Sequence, residues 1–413
     1  MRSIPGELID IDSQLTILHL ILSSEFTFIL LQIYKRLIIT LSAPFLPLIP
    51  TNNLLLTILK MCLSSRTHDF LQALPKCEHH LHIEGSLSPT LLFRLAATNN
   101  IALPSPAIDP AFASPAALST RYEHFSSLDD FLHYYFIGMS VLLSSADFES
   151  LAYEYFSRAH ADGVHHAEIF FDPQAHTSRG VAYDTVVKGL SAAQERARKD
   201  FSISSKLILC FLRHLPAEDA KQTFNAAQAL GHFSDGTVAG IGLDSSEVGF
   251  PPELFREVYI SAKDGGIRRT AHAGEEGDAS YISGALDNCH VERIDHGIRV
   301  VEDDVLMKRI ARNKTLVTMC PLSNVRLRCV QSVSELPVRT FLDEGVRFSV
   351  NSDDPAYFGG YILDNYCAVQ EAFKLTFKEW KYIADGAIEG SWCDEERKTA
   401  LLQKVQALVA KYE

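Results

Sequence analysis

From Leu74 onward, short runs of β-branched and aromatic residues alternate with longer amphipathic stretches, and no other feature constrains the fold as strongly. The strand-like runs are Glu78–Ile83, Val164–Phe171, Ser205–Leu212, Val238–Leu243, Ile267–Ala273, Val291–His296, Thr315–Cys320 and Val346–Asn351. Between most of them lie helical patterns such as Phe148–Ala161, Tyr183–Lys199, Ala217–Leu230, Glu253–Asp264 and Val301–Asn313. Strands separated by helices pair in parallel through crossovers, and eight such units close into a TIM-like (β/α)8 barrel. With 413 residues, 47% of them hydrophobic, the chain can fill that core without crosslinks.

The longest interruption, Glu84–Ser150, follows the first strand. It holds two helical patterns, Pro89–Thr98 and Leu128–Leu143, joined by the Pro/Ala/Ser-rich stretch Leu103–Ser119. Ser127 with Asp130 three residues later approximates a capping box, with Asp in place of the usual Glu or Gln. An insertion at the carboxyl end of a barrel strand sits near the face where active sites form. It can wall a pocket there or pack on the outside of the barrel; the sequence leaves both open.

Charge narrows the partners. The formal net charge of −13 repels phosphate backbones, so neither nucleic acid nor an anionic membrane surface is expected to bind. Eight cysteines without a C-x-x-C pair suit reduced thiols in the cytoplasm, with the nucleus as a second compartment. The metal-dependent barrel is expected over residues 67–413. Residues 1–66 are expected to be a non-catalytic extension, poorly ordered or apolar, that does not pack into it. Its apolar segments Leu15–Leu31 and Leu37–Ile49 do not read as a signal peptide, because Glu7, Asp10 and Asp12 make the leader acidic. Glu25 interrupts the first segment and two prolines the second, against a bilayer span. Fractionation of the full chain beside one starting at Met61 tests this, with both expected in the soluble fraction.

The chemistry gathers at strand ends. In Glu78-His79-His80-Leu81-His82, strand alternation points His80 and His82 together into the barrel mouth and His79 away from it. Strand 5 ends in Thr270-Ala271-His272-Ala273-Gly274-Glu275, strand 6 in Arg293-Ile294-Asp295-His296-Gly297 and strand 8 in Asn351-Ser352-Asp353-Asp354-Pro355. A single buried His or Asp is usually a satisfied core polar group. Four clusters at one end of a barrel are not explained that way. Three imidazoles (His80, His82, His272) and the Asp353 carboxylate make a four-residue set for one Zn2+ per chain, which lowers the pKa of a bound water toward ~7. Glu275 then serves as general acid, His296 holds or deprotonates the water, and Asp354 accepts a hydrogen bond from the substrate.

The strings PKCEHHLHIEGSL, TAHAGE, RIDHG and VNSDDPAYFGGY resemble the adenosine/adenine deaminase family of the amidohydrolase superfamily, from about Leu74 to Phe373. The resemblance implies the same zinc set, proton donation from Glu275 to purine N1, water activation by His296 and contact of Asp354 with N7. It also implies a small purine substrate and no second metal, since Asp244-Ser245 stands where dinuclear members carry a bridging lysine. Nucleoside-acting members have Asp after H-x-H, where this chain has Glu84. A glycine of theirs near the end of strand 4 is replaced by Ser245. Both changes point to adenine, with Glu84 and Ser245 filling ribose space. An adenosine deaminase and a non-catalytic purine-binding protein are the alternatives. Oligomeric state is not legible. His166-Ala167-Glu168 mimics the H-x-E of cytidine-type deaminases but lacks P-C-x-x-C downstream, so His166 is expected to be structural.

Overall fold

The structure, a computed structural model, describes residues 66–413; the expectations for the extension before them lie outside the described residues. Eight parallel strands, β1 (Lys76–Glu78), β2 (Val164–Phe171), β3 (Ser204–Leu212), β4 (Val238–Asp244), β5 (Arg268–Ala273), β6 (Arg293–His296), β7 (Leu316–Met319) and β8 (Phe348–Val350), pair in sequence order. Helices lie between them, which gives the expected (β/α)8 barrel. β2 runs over the residues anticipated and β3 to β7 fall within two of them, because the switch between periods of 2 and 3.6 marks them.

β1 is the exception. It ends at Glu78, before the histidines, and the chain continues as isolated bridges, Leu81 with Asp353 and His82 with Phe170. Alternation therefore fails at His79. Its Nδ1 lies 3.2 Å from Ser349 Oγ, while His80 Nδ1 lies 2.9 Å from Thr318 Oγ1, and Ser349 and Thr318 are register partners on β8 and β7. Partners in a parallel sheet share a face, so both imidazoles lie inside the barrel. His79 does not point away. It bonds Ser391 Oγ at 2.7 Å and belongs to the barrel floor.

That floor is polar. On β2, His166, Glu168 and Phe170 face inward in ascending order. Arg293 of β6 donates to Glu168 Oε2 at 2.5 Å, and His166 Nε2 sits 3.1 Å from Glu168 Oε1, a structural role as expected. The Trp392 ring lies 4.2 Å from the Arg293 guanidinium and so near β4 that a Cβ on Gly240 would meet it at 2.7 Å. Phe170, Ile208 and Cys210 form a small apolar layer above. Burial alone would raise the Glu168 carboxyl; Arg293 and His166 more than offset this and hold it well below the usual carboxylate range.

The insertion forms α1 (Pro89–Asn99), α2 (Pro115–Tyr122) and α3 (Leu128–Met139), followed by α4 (Ser145–Ala161). α2 arises within the stretch read as a linker; Ser114 caps it, with Pro115 at its first turn. Ser127 accepts from the Asp130 N–H at 3.1 Å, but Asp130 turns its carboxylate to the Ser126 N–H and to Arg121, so the capping box is half built. The cysteines among the described residues are all free, and no helix there is long and apolar enough to cross a membrane.

Arg293→Ala would leave the buried Glu168 carboxylate without its guanidinium partner, at a cost of about 3–5 kcal/mol in urea unfolding at pH 7. Replacing both residues by methionine is expected to cost less. Because the folded carboxyl is depressed, the pair's contribution is present above about pH 4 and declines as pH falls below that; the deficit of the variant should shrink accordingly.

Candidate metal centre and active site

The mouth of the barrel is closed by the residues expected to do the chemistry. His82 N donates to Asp353 O at 3.0 Å and Asp353 N to His80 O at 3.0 Å, joining the end of β8 to the segment after β1. Asp353 takes a left-handed conformation (φ 64°) at this junction. His296 (φ 61°) and Ser245 (φ 74°) do the same at the ends of β6 and β4. Such non-glycine conformations cost about 1–3 kcal/mol each and persist where the surroundings over-determine them.

His80, His82, His272 and Asp353 converge. One ligand atom from each lies within 4.8 Å of all the others, and all four residues are buried. His82 Nε2 is 3.1 Å from His272 Nε2, and Asp353 Oδ1 is 3.1 Å from His80 Nε2 and 3.5 Å from His82 Nε2. Zinc–ligand bonds of ~2.0–2.1 Å in tetrahedral geometry separate donor atoms by ~3.3 Å. The spacing therefore fits one divalent cation. Burial lowers His82 to about 4 and takes His272 well below the ordinary histidine value, so these imidazoles present lone pairs. Burial would raise Asp353, but His80 and His296 more than offset this and keep it ionised.

The outer nitrogens are also held. His80 Nδ1 meets Thr318, whose hydroxyl donates to Asp295 Oδ1 at 3.0 Å. Thr270 donates to Asp295 Oδ2 at 2.6 Å, and His272 Nδ1 lies 3.8 Å from the same oxygen. Asp244 Oδ2 lies 3.4 Å from His82 Nδ1. Carboxylates in this position orient imidazoles and raise their basicity. Asp295 was visible in the RIDHG string but had no role there. Its pairing with β5 and β7 needed the folded register.

Glu275 and His296 stand beside the cage. His296 Nε2 is 3.5 Å from Glu275 Oε2 and 3.7 Å from Asp353 Oδ2. Asn324 Nδ2 lies 3.2 Å from His296 Nδ1 and orients the ring. The Glu275 carboxyl is raised well above the ordinary value by burial and by Asp353, the direction a proton donor needs. Arg213 and Glu247, unremarked in the sequence, fix its loop. Arg213 Nη1 donates to His272 O at 2.9 Å, and Glu247 Oε2 accepts from the Gly277 N–H at 2.6 Å.

Asp354 lines the cleft with Asp172, Asp244 and Ser245. Burial and the neighbouring Asp353 raise it well above the usual carboxylate range. The cleft's outer wall is Leu128, Phe131, Leu132 and Tyr135 of α3, so the insertion walls the pocket. Glu84 departs from expectation. It is turned aside, with Oε1 accepting from the Asp172 N–H at 3.2 Å and 2.8 Å from His176 Nε2, and it is not among the cleft-lining residues. Ser245 does reach the cleft, its Oγ 2.8 Å from His214 Nδ1.

Residues 75–408 match the family model described as adenosine deaminase. The chain belongs to the adenosine deaminase family. It is 62% identical over 345 residues to adenine deaminase of Schizosaccharomyces pombe, covering 84% of this chain and 94% of that one. To adenine deaminase of Aspergillus fumigatus it is 59% identical over 352 residues, 85% of this chain and 99% of the other. Among solved structures, adenine deaminase from Arthrobacter aurescens superimposes with a TM-score of 0.76 at 44% identity, over 81% of this chain and 98% of that one. An amidohydrolase from Burkhoderia ambifaria with bound Zn gives a TM-score of 0.74 at 27% identity, over 84% and 94%.

A Cβ on Gly85 would lie 1.9 Å from Asp354 Oδ1 and 2.7 Å from Asp354 Cα, a backbone atom that cannot swing away. Gly85→Ala is therefore expected to displace Asp354 and lower turnover at least tenfold. The bound metal, measured by atomic absorption, should be unchanged.

Proposed function

We propose that this enzyme hydrolyses adenine to hypoxanthine and ammonia with one zinc ion per chain. The observation that carries the reading is a four-residue cage of the right spacing beside a buried Glu275 whose carboxyl is raised well above its ordinary value. The kinship with the fungal adenine deaminases supports adenine over its nucleoside. His80, His82, His272 and Asp353 would hold the zinc, whose contribution is an activated water at neutral pH.

The surrounding residues do the rest. Glu275 donates its proton to N1, which draws electron density from C6 and opens it to addition of water. His296 holds that water and takes up its proton. The C6–amino bond then breaks as the hydroxyl proton passes to the nitrogen, which leaves as ammonia; the oxygen remains as the C6 carbonyl of hypoxanthine, and the proton held by His296 returns to Glu275. N7 of the 9H tautomer is an acceptor, so Asp354, raised well above the usual carboxylate range, would meet it as a donor, where the sequence reading has it accept. Asp354 thus fixes the purine by giving a hydrogen bond. The cytoplasm, with the nucleus as a second compartment, suits an enzyme of the free purine base.

Ammonia release from adenine and adenosine, with metal content measured on the same sample, tests the reading. Adenine is expected to be the far better substrate; a strong preference for adenosine overturns the assignment. Glu275→Gln should keep its zinc and lose about 10²–10⁴-fold in kcat. Undiminished turnover in the metal-replete variant would remove Glu275 from its role.

A further inference from the structure

Asp172 stands at the end of β2, in the cleft but outside the cage and the groups assigned to N1 and N7. It is 1% exposed. Its Oδ1 has no protein hydrogen-bond partner, although Oδ2 accepts from the Tyr135 hydroxyl at 3.4 Å. Its placement is enforced. Glu84 accepts the Asp172 N–H and receives a second bond from His176 Nε2, because Arg179 donates to His176 Nδ1 at 2.8 Å and leaves the ring proton on the other nitrogen. Glu84, at the position of a ribose-binding residue by resemblance, instead holds the backbone of Asp172.

Geometry assigns a partner to the free oxygen. Around the rim the strands run β8, β1, β2, β3, β4, β5. With Asp354 after β8 at N7 and Glu275 after β5 at N1, the purine edge facing this arc carries C8, N9, N3 and C2 in that order. Asp172, after β2, falls opposite N9, and Ser245, after β4, opposite N3. We propose that Asp172 reads the N9–H of a free purine base and is the residue that separates base from nucleoside. The inference rests on the adenine reading above and extends it.

The complementarity is specific. The 9H tautomer of adenine has one ring N–H, at N9, and lone pairs at N1, N3 and N7. Glu275 and Asp354 stand at two of the lone pairs, and the single ring N–H at N9 calls for an acceptor, which the unpartnered Oδ1 of Asp172 offers. A nucleoside has no proton there and carries a sugar, which would have to occupy the space of Phe131 and Tyr135. A site built around a substrate N–H rejects the analogue lacking it because its own buried acceptor is left unpaired.

The test compares ammonia release from adenine and from 9-methyladenine, which lacks the N9 proton and adds only a methyl group. The wild-type enzyme should prefer adenine at least tenfold in kcat/KM; comparable rates overturn the proposal without any variant. Asp172→Ala should lower kcat/KM for adenine about 10- to 100-fold, mainly through KM, since the contact is made in ground and transition states alike. The same variant should change 9-methyladenine far less, so the preference collapses. Asp172→Asn, whose carbonyl can still accept, should recover part of the loss. Equal losses on both substrates would make Asp172 merely structural and end the proposal. Should the wild type release ammonia from neither base, the deaminase reading fails as well; intact adenine turnover with an unchanged preference defeats this inference alone.

Discussion

Two backbone hydrogen bonds, from His82 N to Asp353 O and from Asp353 N to His80 O, join the last strand to the first, and the arrangement of the mouth depends on them. A barrel needs its ends sewn together. Here the stitches are made by the residues proposed to grip the cation. Closure and ligand convergence are one event, so the cage is as well defined as the seam. The left-handed backbone of Asp353 is the cost of using one residue for both, and the pairing on either side holds it in place.

Charge is the second constraint. Asp353, Asp354, Glu275, Asp244 and Asp172 line one small cleft, and like charges in a dry site cannot all be ionised. The structure separates them by environment. Imidazoles surround Asp353 and hold it as a carboxylate, whereas burial and like neighbours raise Glu275 and Asp354 well above the usual carboxylate range. Burial and the neighbouring Asp244 raise Asp172 well above the usual carboxylate range, and burial raises Asp244 to about 7 despite its contact with Asp172. The same crowding that would destabilise a random acidic cluster supplies the proton donors that purine chemistry needs.

Much of this was legible in the chain. Strand ends carrying His272, His296 and Asp353 stood out because apolar runs stop abruptly at polar clusters, and the period of each run located its strand. What could not be read depends on contacts between distant elements. The inward turn of His79 follows from β1 stopping at Glu78, which no local pattern announces. α2 was hidden by a composition usual for linkers, although Ser114 and Pro115 are a recognisable start. Asp295, Thr318 and Asp244 gain their roles from register across neighbouring strands. Glu84 was noticed for the right position and given the wrong task, since its direction is decided by His176, ninety-two residues away.

The floor of Arg293, Glu168, His166, His79 and Trp392 has a further consequence. It packs the barrel from below, so among the described residues the cleft lies at the mouth, where α3 forms part of its wall. Water, substrate and products therefore meet at the mouth, since the packed floor closes the opposite end. Traffic is therefore sequential. Product must leave the mouth before the next substrate can enter it.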